Sequence, residues 1–277
     1  MDYHLLRLAT ETGYWLIAHP DHARLAGAFA TRWGNELFAK PRPRASVLYG
    51  IHVHDDGWTT RDASPAITRA GKPSAFSHEL VGKYSAFEEI DLADYLAVRE
   101  RAVGEIEAKD AYAAWLVTMH TINLLSDHAD RSTIVPSQLP LLDAFLDRQQ
   151  ARQQRLRKSF EADPRYTADD IRDEVAVNNF RLLQACDNLS LLGCVAYLHP
   201  ATLLHPLLTH EGGTRTVAVE AIAPRHFRLD PYPFDQPNLT FEVPARHVEG
   251  HIFANAAELQ QKFAAAKVKG LTITVSP

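Results

Sequence analysis

Residues 51–58 read Ile51-His52-Val53-His54-Asp55-Asp56-Gly57-Trp58, with a histidine set directly beside two carboxylates at the end of an apolar run that includes Val47, Leu48 and Ile51. The run predicts a helix that carries His54 and Asp55 into an interior. An ionised carboxylate is costly to bury unless it is paired or coordinates a cation, so a metal is one of few partners that accommodate both residue types there. The competing expectation is a histidine hydrogen-bonded to its neighbour near a helix end.

Upstream, His22 lies in His19-Pro20-Asp21-His22-Ala23-Arg24-Leu25-Ala26-Gly27, in the opening turn of a helix that Pro20 begins and that Leu25, Phe29 and Trp33 mark at four-residue spacing. Far downstream, Phe180, Leu183, Asp187 and Leu191 follow an i, i+3, i+7, i+11 rhythm, which embeds the Asp187 carboxylate in an apolar stripe. That helix is expected to be capped by Thr167 and to end near Cys194. A carboxylate so placed calls for a partner, either a metal or a Tyr or Arg of a neighbouring helix. Between the doublet and Asp187 the chain offers His78, His120 and His128. Residues 91–128 predict two helices divided at Lys109-Asp110, and His120 falls beside the apolar stripe of the second. His128 would lie about 12 Å further along one straight helix, so a small site takes one of the two, and His120 is favoured.

The order His22, then His54-Asp55, then Asp187, each on an expected helix, resembles the HD-domain superfamily. The strings Pro20-Asp21-His22-Ala23, His54-Asp55-Asp56-Gly57-Trp58, Asp110-Ala111-Tyr112-Ala113-Ala114 and Asp187-Asn188-Leu189-Ser190-Leu191 also look like an uncharacterised bacterial HD-like family known only as a domain of unknown function (DUF3891-like). The resemblance implies a helical core that binds one or two metals through His22, His54, Asp55 and Asp187. It further implies phosphohydrolase chemistry on nucleotides or other phosphate esters, or, as in HD-like oxygenases, a pair of irons with extra histidine ligands.

Two histidines and two carboxylates suit a divalent first-row ion such as Mn, Fe or Zn, with positions left for water or substrate. The expected function is therefore metal-dependent hydrolysis of a phosphate ester or nucleotide by a metal-activated water, with His120 as an added ligand. Asp56 is the candidate for orienting a ligand or the attacking water. Arg24 and Lys72 complete the catalytic candidates, Lys72 (with Arg61 and Arg69) from a turn-rich stretch around Pro65, Gly71 and Pro73 expected over the pocket mouth. A di-iron oxygenase is the first alternative and needs two inward histidines in the interval, with Asp55 bridging. A non-catalytic binding or structural domain is the second and needs a closed site. Neither a Walker-type nor a dinucleotide Gly-rich loop is present in the sequence.

The 277 residues, 46% hydrophobic, suffice for one large domain, or one domain with an appendage. The expected fold is mainly α: an HD-like helical core with a short N-terminal β-hairpin around Thr10-Glu11-Thr12-Gly13, and a small C-terminal β-rich subdomain. The expected domains are 1–199 and 200–277, the latter an α+β appendage with strands at 216–222, 239–243 and 271–275 and a helix over 255–267. The appendage, which the N-terminal hairpin is free to join, is expected to shape the pocket or a homo-oligomer interface. The 34 acidic and 29 basic residues are well mixed, at net charge -5, which gives no electrostatic case for a nucleic-acid partner and leaves a small-molecule substrate. Nothing reads as a signal peptide or a membrane span. Cys186 and Cys194, about 12 Å apart on one helix, read as reduced core thiols of a cytoplasmic protein.

Overall fold

The computed structural model describes residues 5–83 and 91–277; Tyr3, the first residue of the expected hairpin, lies outside them. The chain opens with strands β1 (Leu6–Ala9) and β2 (Gly13–Ile17), then helices α1 (His19–Arg32) and α2 (Arg44–Val53), a 3-10 turn at Asp56–Trp58 and the single turn α3 (Thr59–Asp62). Helices α4 (Leu92–Glu107), α5 (Ala111–Ser126), α6 (Leu139–Glu161) and α7 (Asp173–Cys194) follow. Strands β3 (Ala201–Thr202), β4 (Leu207–Leu208), β5 (Thr214–Arg215), β6 (Ala218–Ala223), β7 (His226–Asp230) and β8 (Leu239–Glu249) lead to α8 (Ala256–Ala265) and β9 (Val268–Ser276).

The expectation of a mainly α fold with a small β-rich subdomain is corrected. Helix makes up 48% of the structure and strand 20%, and seven strands form one curled mixed sheet in the order β1-β2-β8-β9-β7-β6-β3. The N-terminal hairpin is an edge of that sheet, because β2 pairs antiparallel with β8 from Gly13↔Glu249 to Leu16↔Arg246. Among the described strands only β7 and β9 run parallel. Sequence periodicity detects strands one at a time, whereas this pairing joins opposite ends of the chain and is set by which edges remain free once the helices have packed.

One face of the sheet packs on the helices: Val243 and Ala245 of β8, Leu271 and Ile273 of β9, and Phe227 and Leu229 of β7 alternate with exposed or half-exposed neighbours. Val248, paired with Tyr14 and of opposite parity, joins Leu16, Phe253 and Leu259 in a separate cluster on the other face. The residues that face the helices join a single hydrophobic cluster with Phe29 of α1, Trp33 just past its end, and Leu189, Leu192 and Cys194 of α7. Phe29 meets Phe241 of β8 edge-on, with ring centroids 4.8 Å apart; full burial of such a side chain contributes roughly 1.5–3 kcal/mol. The stripe that docks α1 on the sheet continues backwards through Ala26 to His22, so seating the helix also fixes that histidine.

Helices α5 and α7 are buried nearly all round over Tyr112–Thr118 and Leu182–Asp187, the pattern of helices at the centre of a domain. The divide before α5 is made by Asp110, whose carboxylate accepts from the Ala113 N–H. The start of α7 differs from expectation. Thr167 Oγ1 bonds Asp170 Oδ2 at 2.7 Å within a separate turn, and α7 begins only at Asp173. The local Thr–Asp bond competes with helix and ends the turn on itself. Both cysteines are free and buried.

Candidate metal centre

Four elements converge on one point: the first turn of α1 with His22, the end of α2 with His54 and Asp55, the middle of α5 with His120, and α7 with Asp187. All five side chains are buried. His22, His54 and Asp187 each present one potential ligand atom within 4.8 Å of the others, a group able to bind a metal ion. Asp55 Oδ2 lies 3.1 Å from His22 Nε2 and 3.8 Å from His54 Nε2. Asp187 Oδ1 lies 3.4 Å from His54 Nε2 and 3.6 Å from His22 Nδ1, and Asp187 Oδ2 lies 3.9 Å from His120 Nε2.

The protons can be placed from the partners. Helix α2 stops at Val53 and leaves late carbonyls without helical donors. His54 Nδ1 lies 2.7 Å from the Ile51 carbonyl, which only accepts, so Nδ1 carries a proton and Nε2 is the nitrogen that the neutral ring offers as a ligand. Ser190 donates its hydroxyl to the Asp187 carbonyl at 2.7 Å, so its oxygen accepts from His22 Nδ1 at 3.0 Å. Neutral His22 then turns a bare Nε2 toward Asp55 Oδ2. His22 Nε2 and Asp55 Oδ2 lie 3.1 Å apart, a contact that either a proton on Nε2 or a cation satisfies, and His54 Nε2 has no hydrogen-bond partner among the described residues. A cation between these atoms satisfies every one of them, with outer hydrogen bonds that fix ring tautomers as metal-ligating histidines need.

The charges agree. Arg99 Nη1 pairs with Asp55 Oδ1 at 2.8 Å, and Trp58 Nε1 donates to the same oxygen at 3.2 Å. Two buried carboxylates thus face one guanidinium, leaving one negative charge uncompensated. Burial raises the Asp55 carboxyl, but Arg99 and His54 hold it well below the usual carboxylate range. Asp187 is also lowered, its burial outweighed by His54, His120 and His22. Without a metal the site takes its positive charge from His54, where burial is outweighed by Asp55 and Asp187 and the pKa rises to about 9. Burial lowers His22 and pushes His120 down to about 4, which keeps both as neutral potential ligands.

The other expected site residues are placed elsewhere. Asp56 turns outward at the 3-10 turn and pairs with the half-exposed Arg24, Nη1 to Oδ1 3.3 Å. Lys72 is exposed on the turn closed by Thr68, whose hydroxyl accepts the Lys72 N–H at 3.3 Å. Gly71 beside it meets Ile252 and Phe253, so this stretch packs on the C-terminal part, and no contact among the described residues joins Lys72 to the cluster. Arg61 reaches Asp94 at 3.2 Å and lies over the Trp58 ring. Of the interval histidines, His78 is exposed at a 3-10 turn and His128 is half-buried beyond the end of α5.

Sequence reasoning missed four contributors. Arg99 lies on the apolar stripe Leu92, Leu96, Arg99, Val103, Ile106 of α4, the same signal that singles out Asp187. Ser190 follows Asp187 by three residues and so shares its face. His19 and Asp62 form a buried pair, with the His19 N–H 2.5 Å and Nδ1 3.2 Å from Asp62 Oδ2. The His19 ring sits 5.8 Å from that of His22 and 5.2 Å from that of Trp58. Burial lowers the His19 pKa, but Asp62 outweighs it and the net shift is upward.

A family profile described as "Protein of unknown function (DUF3891)" matches residues 5–250. No curated protein and no solved structure matches the chain. No helix among the described residues is long and apolar enough to cross a membrane.

Proposed function

The chain belongs to the DUF3891 family, whose description assigns no activity, and from its buried site we propose a metal-dependent hydrolase acting on a phosphate ester or nucleotide. The observation that carries this reading is the convergence of His22 Nε2 and His54 Nε2 on the carboxylate oxygens of Asp55 and Asp187 inside a buried cluster, with His54 Nε2 left without a hydrogen-bond partner among the described residues. His22, His54, Asp55 and Asp187 would hold a divalent Mn, Fe or Zn ion, in the manner of an HD-type site. Such an ion supplies a water of lowered pKa and polarises a phosphoryl oxygen.

The protein's own groups have separate tasks. Arg99 and Trp58 occupy Asp55 Oδ1 and so aim Oδ2 at the centre. Ser190 and the Ile51 carbonyl hold the two histidines in the ligating tautomer. Asp62 holds a proton on His19 Nδ1 and leaves the opposite edge of the ring to exchange protons beside the centre. His120, facing Asp187 Oδ2, is the one interval histidine at the cluster among the described residues, which supports one ion and the hydrolase over a two-iron oxygenase.

Burial favours a second reading. Side chains of the four ligands are at most 12% exposed, as in a structural metal site. The test is elemental analysis of protein purified without chelator or nickel, beside Asp55→Ala, followed by a phosphate-ester and nucleotide screen with Mn, Fe or Zn added back. A stoichiometric metal lost in the variant, with hydrolysis that needs it, supports the enzyme. A stoichiometric metal with no turnover of any substrate supports the structural site, and no metal after reconstitution removes both readings.

A further inference from the structure

A second site lies at the other end of α7. A cavity of about 220 Å³ opens between the connector Ala39–Arg42 and the first turns of α7, with a floor of Trp33, Leu182 and Leu207 and a rim of Lys40, Arg42 and Arg172. It is distinct from the metal centre, because Val175 and Asn179 of its wall precede Asp187 on the same helix by two to three turns.

The donors at this cavity exceed what the protein uses. Arg42 pairs with Asp170 at 3.3 Å and Arg172 with Asp169 at 3.7 Å, and each guanidinium keeps further N–H groups. Lys40 makes no ion pair or side-chain hydrogen bond among the described residues, and its stem packs across Gly34, where any Cβ would displace it from the rim. Trp33 lines the cavity at 2% exposure, and its indole N–H makes no hydrogen bond among the described residues. The connector itself is held: the Asn179 amide donates to the Arg42 carbonyl at 2.6 Å and to the Tyr112 hydroxyl at 2.8 Å.

Cations and an indole N–H over an apolar floor recognise an anion on an apolar body. The volume falls just below the range of about 300–1,000 Å³ for drug-sized ligands, which limits the occupant to a single ring or its equivalent. The geometry points to a binding site for a small aryl carboxylate, with the carboxylate at Lys40 and the Trp33 N–H and the ring on Leu182 and Leu207. This inference goes beyond the hydrolase reading and does not depend on it.

Phenylacetate is the probe, titrated into the full chain while the four tryptophan indole N–H resonances are followed by NMR, with Trp33 assigned by Trp33→Phe. The expected result is a saturable shift centred on Trp33 that phenylacetamide does not produce. Lys40→Met, at an exposed position, weakens it at least about tenfold, and Asp187→Ala leaves it in place. A missing shift overturns the site. So does an equal response to phenylacetamide, which would remove the role of the cations, or to inorganic phosphate, which would remove that of the apolar floor. An unchanged affinity in Lys40→Met also overturns it.

Discussion

Arg99 Nη1 sits 2.8 Å from Asp55 Oδ1, inside a layer where neither residue is more than 8% exposed. The guanidinium also lies over the rings of Trp58 and Tyr95, 5.1 Å and 5.5 Å from their centroids, so α4 clamps the His54-Asp55 doublet from behind. Arg99→Met leaves the Asp55 charge buried without its partner. The expected cost is about 3–5 kcal/mol in urea unfolding of metal-free protein. Arg99→Lys should rescue little, since a point ammonium cannot both pair with Asp55 and stack on two rings. A loss below about 1 kcal/mol in Arg99→Met would show that the pair is not what keeps Asp55 ionised.

Ser190→Ala removes the acceptor that holds His22 in its tautomer without touching a candidate ligand. Metal affinity should fall about 10–100-fold, the range for outer hydrogen bonds, while Asp187→Ala loses stoichiometric metal altogether. Competition with a chelator measures both, and equal affinities in Ser190→Ala and the parent would place the metal away from His22.

The metal-free protein should be most stable near pH 6.5. The His54 pKa is raised to about 9 in the fold, so its contribution is complete below the unfolded value near 6.5 and is lost as pH rises through 9. The His120 pKa is depressed to about 4, so its contribution is present above 6.5 and is lost as pH falls toward 4. Asp55 and Asp187, both lowered, withdraw theirs only in stronger acid. Because a metal must displace the His54 proton, its affinity should rise with pH up to about 9. Thermal melts and metal titrations across pH 4–9 read both slopes, and a flat metal affinity would remove His54 from the ligand set.

Gly57→Ala tests how the doublet is seated. A Cβ there would collide with Ala102 Cβ of α4 and stand 3.2 Å from the Val98 carbonyl, forcing the 3-10 turn away from Arg99. The expected destabilisation is about 1–3 kcal/mol. Ala102→Gly in the same chain should return part of it, and strict additivity of the two would place the strain elsewhere.

His19→Asn keeps the polar contact to Asp62 but removes the exchangeable ring. On the hydrolase reading, metal content is unchanged while kcat for an active phosphate ester falls about 10²-fold or more. Unchanged kcat would leave His19–Asp62 as a cap on α1.

Much of the site was legible because buried charge is conspicuous in a sequence. His54-Asp55 at the end of an apolar helix and Asp187 within an apolar stripe each ask for a partner. Arg99 sent the same signal from α4 and went unread, since an arginine on a stripe is easily taken for a residue whose stem is buried and whose head reaches water. Lys72 shows the opposite error. Its turn-rich stretch does form a turn, but that turn packs against Ile252 and Phe253, contacts that no local pattern encodes.

The sequence by itself determined the central helices, the break at Asp110, and that His54, Asp55 and Asp187 face inward, because helix periodicity and caps act over a few residues. Only the tertiary structure decided that the N-terminal hairpin completes the C-terminal sheet, and that His22 Nε2 and His54 Nε2 are turned toward Asp55 and Asp187. Those outcomes depend on edges and hydrogen-bond partners contributed by segments far apart in the chain, and such pairings exist only after the chain has closed on itself.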